Sequence, residues 1–304
     1  MSLEIEWLLR TDPGGQKFEG IQYILDMVNL SEISSIKSSV NAIINVINNP
    51  RSTVKELKEI ILLDPPLAAR VLKTANSAYY SRSFTRTFSD IEQAIIWMGS
   101  EIIKELALSQ KVCEIFGRDE ALGAYSRKAL WRHSIAVALL SKMIYRKEFG
   151  LPGENAYVAG LLHDIGIIAE DQFFPEDFKR VLQLTKSKKI NLPEAEYQVF
   201  GYDHAEVGQA MSYSWGLPGE LALTIGHHNN PLTIKSEFSR IVTTLHVADQ
   251  ACQLGGFSFG TIPYKNEKVY YECLRLIDVK PFAIDLILKG VKQEISKMEG
   301  KGLL

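Results

Sequence analysis

Apolar residues recur at helical spacing through nearly the whole chain, and this pattern limits the folds that the chain can adopt. Residues 53–62 give an example, in which the apolar positions on one helical stripe are Val54, Leu57, Ile60 and Ile61. Ser52 or Thr53 is placed to cap this helix, and Glu56 can complete a capping box. No segment shows the alternation of apolar and polar residues that is typical of a half-buried strand. The sequence therefore predicts an all-α fold.

The chain is long enough for more than one helical unit. Its 304 residues, 46% of them apolar, can bury a substantial core and fit two closely joined subdomains better than one. One periodic run stops and another begins near residues 116–120. We therefore expect an N-terminal helical part over residues 1–118, packed against a multi-helix core over residues 119–260. A C-terminal helical segment is expected over residues 261–304.

The histidines are concentrated in the second half of the chain. All six lie between residues 133 and 246. Five of them form a series with two aspartates: His133, His163, Asp164, His204, His227, His228 and Asp249. Imidazole and carboxylate groups are ligands for Zn²⁺, Fe, Mn²⁺ and Ni²⁺, and one aspartate can donate an oxygen to each of two ions. The series therefore predicts a centre for divalent metal ions, with the choice among these four metals left open.

The surroundings of the two aspartates favour a site over scattered core residues. His163 and Asp164 follow an apolar helical run, which we expect to stop at Gly166, a residue able to adopt a positive φ. Asp249 ends the apolar stretch 241–249. A buried, ionised aspartate is prohibitively costly unless a cation or a strong hydrogen-bond network accompanies it. His246 lies outside the series, and we interpret it as a packing residue.

The motifs around these residues resemble the HD superfamily of metal-dependent phosphohydrolases. The matching segments are Trp131–Ser134, Leu161–Gly166, Tyr202–Gly208, Gly226–Asn229 and Val247–Asp249. In the N-terminal half, Leu62–Tyr79 and Ile91–Gly99 resemble the HDOD branch, whose members are generally regarded as signalling or scaffolding modules. Together the matches cover roughly residues 30 to 255. The resemblance implies a helical core packed against an N-terminal helical subdomain, and it implies that this chain has kept its metal ligands.

The resemblance also implies a distribution of the ligands between two ions. One ion would take His133, His163, Asp164 and Asp249. Asp164 would bridge to a second ion, held by His204 together with His227, His228 or both. Asp164 is then the catalytic candidate in a phosphoester hydrolysis assisted by two metals. The position of a third-metal glutamate in some relatives is occupied by Ala129, so we expect at most two ions.

Two departures from the family weaken an assignment to cyclic di-GMP hydrolysis. The HD-GYP phosphodiesterases place a lysine three residues after the aspartate, where this chain has Ile167, and a Gly-Tyr-Pro element after the double histidine, which is absent here. A catalyst also needs donors for phosphate oxygens. Arg127, Lys128 and Arg132 are near the first ligand in sequence, but the sequence does not show that they face the site.

Composition limits the cellular location and the partners that the chain can have. The three cysteines are widely spaced and form no CxxC pair, which argues against a disulfide framework and favours a reducing cytoplasm. No apolar run approaches the ~20 residues that span a bilayer, and the first residues carry no signal-peptide pattern, so we expect a soluble protein that does not bind membranes. A net charge of −2 argues against nucleic acid as the partner.

Three classes of function fit the sequence. The first, which we favour, is a cytoplasmic, bacterial-type signal-transduction module that binds a signalling protein partner, with a metal centre that is structural, senses a phosphate-containing ligand or is weakly hydrolytic. The second is a metal-dependent phosphohydrolase acting on a nucleotide or a cyclic dinucleotide. The third is a metal-free interaction scaffold. The sequence does not separate the first two, so whether the chain is an enzyme stays open.

Overall fold

Helices make up most of the part of the chain that the computed structural model describes, which is residues 16–49, 51–76, 88–117, 125–235, 237–260 and 266–300. The first six are α1 (Gln16–Leu30), α2 (Glu32–Asn48), α3 (Val54–Leu62), α4 (Pro65–Ala75), α5 (Ile91–Met98) and α6 (Ser100–Cys113). The next five are α7 (Arg127–Glu148), α8 (Glu154–Leu162), α9 (Ile165–Phe173), α10 (Pro175–Lys188) and α11 (Leu192–Val199). The last five are α12 (His204–Ser214), α13 (Gly219–His227), α14 (Ser239–Cys252), α15 (Glu267–Leu276) and α16 (Pro281–Glu299). No strand forms within these ranges, which confirms the all-α prediction.

Local sequence signals set the helix boundaries in the N-terminal part. The side chain of Thr53 accepts a hydrogen bond from the backbone of Glu56, and the side chain of Glu56 accepts one from the backbone of Thr53. The predicted capping box therefore forms at the start of α3. The helix ends at Leu62, and Asp64 then caps α4 by accepting from the backbone of Leu67. Pro65 occupies the first position of α4, where its missing N–H costs nothing.

The N-terminal helices form two kinds of contact with the rest of the chain. Helices α2 to α6 pack mainly on one another, and α2 and α6 also contact α8. Helix α1 instead lies against α9 and α12, where Lys17 forms an ion pair with Glu206 and Gly20 packs closely on the ring of Tyr202. A Cβ at residue 20 would stand 2.7 Å from that ring, so glycine permits the contact. The start of the described chain is thus built onto its second half.

The second half is organised around α7, α8 and α14. Helices α7 and α8 run so close together that a Cβ at Gly160 would stand 2.6 Å from the Cα of Ala138. Helix α14 contacts α7, α8, α13 and α15, and α16 closes the bundle against α7. Helices α10 and α11 form a hairpin that follows α9. Buried apolar side chains fill the space between these helices and continue into the N-terminal part.

Some predicted features fall on residues outside the described ranges. The predicted boundaries after residues 118 and 260 fall at the segments 118–124 and 261–265, and the last three residues of the segment Leu62–Tyr79 belong to another such range. The domain boundaries therefore stay predictions. Among the described helices, none combines the length and the apolar composition that crossing a bilayer requires.

Candidate metal centre

Six of the seven predicted ligands converge at one buried point of the core. They are His133, His163, Asp164, His204, His228 and Asp249, and each is at most 3% exposed. Helices α7 and α14 present a histidine and an aspartate from their interiors, whereas the other four residues stand at helix ends.

The His163–Asp164 pair lies between two helices. Helix α8 ends at Leu162 and α9 begins at Ile165, so the pair forms a short corner. The expectation that Gly166 ends the helix with a positive φ is wrong, because Gly166 lies inside α9 and has ordinary helical geometry. Its role is close packing: a Cβ there would stand 2.0 Å from the carbonyl oxygen of His204. Glycine therefore lets α9 and α12 approach and brings Asp164 next to His204.

Asp164 stands between two pairs of histidines and turns one oxygen towards each. Its Oδ2 lies 3.6 Å from Nε2 of His133 and 3.2 Å from Nε2 of His163. Its Oδ1 lies 3.4 Å from Nε2 of His204 and 3.8 Å from Nε2 of His228. A carboxylate in this position has the arrangement required to bridge two cations.

Two sets of three ligand atoms have the spacing of a metal site. His133, His163 and Asp249 offer atoms that all lie within 4.8 Å of one another, as do His163, Asp164 and His228. In the first set, Nε2 of His133 is 3.0 Å from Oδ1 of Asp249. His163 belongs to both sets, so the two groups are adjacent.

The hydrogen bonds of the four histidines follow one pattern. Each ring has a protein acceptor for Nδ1 and turns Nε2 towards the centre. The acceptors are the carbonyl oxygens of Phe257 (3.0 Å from His133), Gly160 (2.8 Å from His163) and Ile225 (2.7 Å from His228), and the carboxylate of Glu196 (2.7 Å from His204). A ring that donates from Nδ1 presents its Nε2 lone pair as a metal ligand.

A buried oxygen without a hydrogen bond supports the fit to a cation. Oδ2 of Asp164 makes no hydrogen bond although the residue is 3% exposed. A buried carboxylate oxygen without a hydrogen bond costs free energy, and a divalent cation would satisfy it. The four imidazoles and the two carboxylates are suitable ligands for such cations. The residues present therefore fit divalent metal ions.

The charged groups of the centre shift one another's pKa values. Burial opposes ionisation of both aspartates, but the neighbouring histidines outweigh it: His133 and His163 lower the pKa of Asp249 to about 2, and His163 and His204 hold the pKa of Asp164 well below its ordinary value. Burial also opposes protonation of His204, yet the carboxylates of Glu196 and Asp164 raise its pKa to about 10. Without metal, a proton on His204 thus partly offsets the negative charge of the aspartates.

The two adjacent histidines have different environments. Burial and the neighbouring rings of His163 and His204 lower the pKa of His228 to about 3, as expected for a neutral ligand within the centre. His227 is partly exposed, and its Nδ1 lies 3.1 Å from the hydroxyl of Thr233, away from the six converging residues. The structure therefore places His228, but not His227, at the centre.

Three further polar residues border the centre. Glu196 is fully buried against His204, the side-chain amide nitrogen of Asn229 lies 3.3 Å from Nε2 of His204, and Gln253 donates to Asp249 at 2.8 Å. All three lie outside the series of ligands predicted from the sequence. Asn229 and Gln253 could have been found because one follows the double histidine and the other lies one helical turn after Asp249. His246 bonds to the carbonyl of His228 at 2.7 Å and so has the packing role expected of it.

The nearby cations and residue 167 do not supply charge to the centre. Arg127 is paired with Asp171, and Arg132 with Glu299, while the side chain of Lys128 is exposed. Ile167 is fully buried in the core. None of these residues stands as a donor beside Asp164 in the described structure.

Comparison with known proteins identifies the family of the chain and the proteins that share its fold. The profile of the HDOD domain family matches residues 33–231, and the chain belongs to that family. A crystal structure of an HDOD domain protein of unknown function from Geobacter sulfurreducens is 29% identical, with a TM-score of 0.72 over 86% of this chain and 90% of that one. A candidate phosphohydrolase from Shewanella amazonensis SB2B shares the fold at 23% identity, with a TM-score of 0.63 over 88% of this chain and 91% of that one.

Among related sequences, an uncharacterised protein of Treponema pallidum is 22% identical over 241 residues. That match covers 78% of this chain and 44% of the Treponema protein. The chain thus spans less than half of the length of that relative, and the likeness concerns the shared region.

Proposed function

We propose that this chain is a signal-transduction module whose HDOD fold encloses a centre for two divalent metal ions, with at most slow hydrolysis of phosphoesters. The observation that carries the proposal is the position of Asp164, which turns one oxygen to His133 and His163 and the other to His204 and His228. Two bound ions would supply Lewis acidity and activate a water molecule for attack on phosphorus.

The closed state of the centre favours a structural or sensing role over rapid turnover. Its ligands are at most 3% exposed, and the ring of Phe259 lies 5.2 Å from that of His133. Catalytic metal sites keep a position open for substrate, whereas structural sites are closed. Ile167 is an apolar, buried side chain at the position where the HD-GYP phosphodiesterases that the chain resembles carry a lysine. The chain's own residues therefore hold cations well and offer few groups to a phosphate.

The partners follow from this proposal. A signalling protein is the partner of the module, and a phosphate-containing small molecule is the ligand that the metal centre would sense. The net charge of −2 argues against nucleic acid as the main partner. The proposed setting is the cytoplasm, where the three cysteines remain reduced.

A metal-dependent phosphohydrolase acting on a nucleotide or a cyclic dinucleotide is the second candidate. The adjacency of the two ligand sets through His163 favours it, because paired ions about 3.5–4 Å apart are the arrangement that hydrolytic phosphatases and nucleases use. Turnover of a generic phosphodiester with Mn²⁺ or Fe²⁺, abolished by Asp164→Ala, would establish this function. Persistent inactivity with a full metal complement would favour the signalling module.

Metal content tests the common basis of both candidates. Elemental analysis of protein purified without an affinity tag should find about two ions per wild-type chain and a sharply reduced content in Asp164→Ala. Asp177→Ala is the matched control, because Asp177 pairs with Arg180 on the surface of α10. Wild-type protein that takes up no metal, even after anaerobic reconstitution with Fe²⁺ or Mn²⁺, would contradict the proposal and leave a metal-free scaffold.

A further inference from the structure

His204 is held differently from the other histidines of the centre. Its Nδ1 lies 2.7 Å and 3.0 Å from the two oxygens of Glu196, and its backbone N–H donates to the same carboxylate at 3.1 Å. The corresponding acceptors of His133, His163 and His228 are backbone carbonyls. Glu196 thus fixes both the ring and the main chain of His204 at the first residue of α12.

Glu196 comes from a part of the fold that offers none of the seven predicted ligands. It lies in α11, the second helix of the hairpin with α10, and it is fully buried. A buried carboxylate is costly and persists where its partners repay the lost hydration. Two donors of His204 reach Glu196, so the hairpin delivers this carboxylate to one of the predicted ligands. The buried Glu170 of α9 also lies against Glu196, and burial together with this neighbouring carboxylate raises the pKa of Glu170 well above its ordinary value.

The opposite side of His204 is fixed by α9. Gly166 packs against the carbonyl of His204, and Nε2 of the ring lies 3.4 Å from Oδ1 of Asp164. Because the N–H at Nδ1 donates to a carboxylate, Nε2 is the nitrogen that faces the centre. A carboxylate acceptor also makes an imidazole a stronger ligand than a carbonyl acceptor does.

From these contacts we infer that Glu196 is a positioning residue for the second ion. It selects the Nδ1–H tautomer of His204 and holds the ring against Asp164, while the set of His133, His163 and Asp249 is held independently by backbone carbonyls and neighbouring side chains. The inference rests on the proposed two-ion centre. Loss of Glu196 should therefore weaken one of two ions and spare the other.

The variants Glu196→Ala and Glu196→Gln test this role at two levels. Alanine removes the acceptor, so we expect the second ion to bind 10- to 100-fold more weakly, the range typical of lost outer-shell partners. Glutamine keeps the shape and one acceptor oxygen, so it should recover part of the affinity and guard against a failure to fold. Glu176→Gln is the matched control, since Glu176 is an exposed carboxylate on α10 of the same hairpin.

Two measurements separate positioning from a general structural effect. Titration of metal-free protein with Zn²⁺ gives the affinity of each ion, and ¹⁵N spectra of the histidines in the zinc-loaded protein give the protonated ring nitrogen. We expect His204 to be protonated at Nδ1 in the wild type and in Glu176→Gln. In Glu196→Ala, the resonances of His204 should no longer indicate a single tautomer, whereas the resonances of His133 and His163 should be unchanged.

Each result has a distinct meaning. Selective loss of the second ion with a changed His204 tautomer supports the inference. Two ions bound equally well by Glu196→Ala, or a uniform loss of both, would overturn it and leave the two-ion centre standing. A wild-type chain that binds neither Zn²⁺ nor, after anaerobic reconstitution, Fe²⁺ or Mn²⁺ would overturn the proposed function and the inference together.

Discussion

The orientation of each imidazole at the centre is set by the hydrogen bond that its Nδ1 makes. In His133, His163 and His228 this nitrogen faces a backbone carbonyl from a neighbouring turn or loop, and in His204 it faces a carboxylate. The rings thus enter the centre with Nε2 foremost. Such outer contacts set the angle of a ligand ring before a metal arrives, and they favour binding through Nε2.

The two adjacent histidines give a prediction at this scale. His228→Ala removes an Nε2 that lies 3.8 Å from Oδ1 of Asp164, so it should lower Mn²⁺ stoichiometry to about one ion per chain. His227→Ala should leave the stoichiometry at that of the wild type, because His227 faces Thr233. Equilibrium dialysis measures both variants under the same conditions. Equal losses in the two variants would show that His227 also reaches the centre.

The sequence could predict some of these residues and not others. His163 and Asp164 were predictable because an apolar helical run leads directly to them and a buried aspartate needs a partner. The difference between His227 and His228 was not, since neighbours on a helix point about 100° apart and only packing decides which one turns inward. Glu196 carries no signal of its own, because one more glutamate in a short helix resembles a solvated residue.

At the scale of whole elements, close contacts between helices decide the geometry of the centre. Glycines allow three of them: Gly160 between α8 and α7, Gly166 between α9 and α12, and Gly226 between α13 and Gln209 of α12. Helix periodicity predicted that these helices exist, and it could not show which turns approach so closely. For that reason the sequence pattern predicted that Gly166 ends a helix, whereas in the structure Gly166 permits a close contact between α9 and α12.

Gly166→Ala tests the contact between α9 and α12. The added Cβ would stand 2.0 Å from a backbone oxygen, so one of the helices must shift, at a cost of about 1–3 kcal/mol in the free energy of unfolding. The shift should also weaken the second ion, because it moves His204 from Asp164. Urea denaturation and Mn²⁺ titration measure the two effects.

Gly290→Ala is the matched control for this prediction. Gly290 lies inside α16, and a Cβ there would meet Cε of Met143 at 3.7 Å, an ordinary contact. Since alanine favours the helix over glycine, this variant should be stabilised by about 0.5–1 kcal/mol. A Gly166→Ala variant as stable as Gly290→Ala would mean that α9 and α12 do not approach as described.

Across the whole molecule, the metal centre and the N-terminal helices share a continuous core. Helix α1 lies on α9 and α12, the two helices that carry Asp164 and His204 at their starts. At the other side, Lys142 of α7 forms an ion pair with Glu105 of α6, and both are largely buried. A helix near the start of the chain therefore packs directly beside the centre, a proximity that no local pattern in the sequence indicates.

This continuity predicts that metal stabilises the chain as one unit. An ion that binds only the folded state stabilises it by about 2.7 kcal/mol at a concentration 100 times its Kd, and the shared core should extend that gain to α1 and α2. Mn²⁺ should therefore slow hydrogen exchange in Gln16–Leu30 and Glu32–Asn48 as well as in Arg127–Glu148, as measured by mass spectrometry. Asp164→Ala serves as the control and should show no response to Mn²⁺ in any of these helices. Protection confined to α7 and its neighbours would show instead that the N-terminal helices open independently, and the two parts would then be separate folding units.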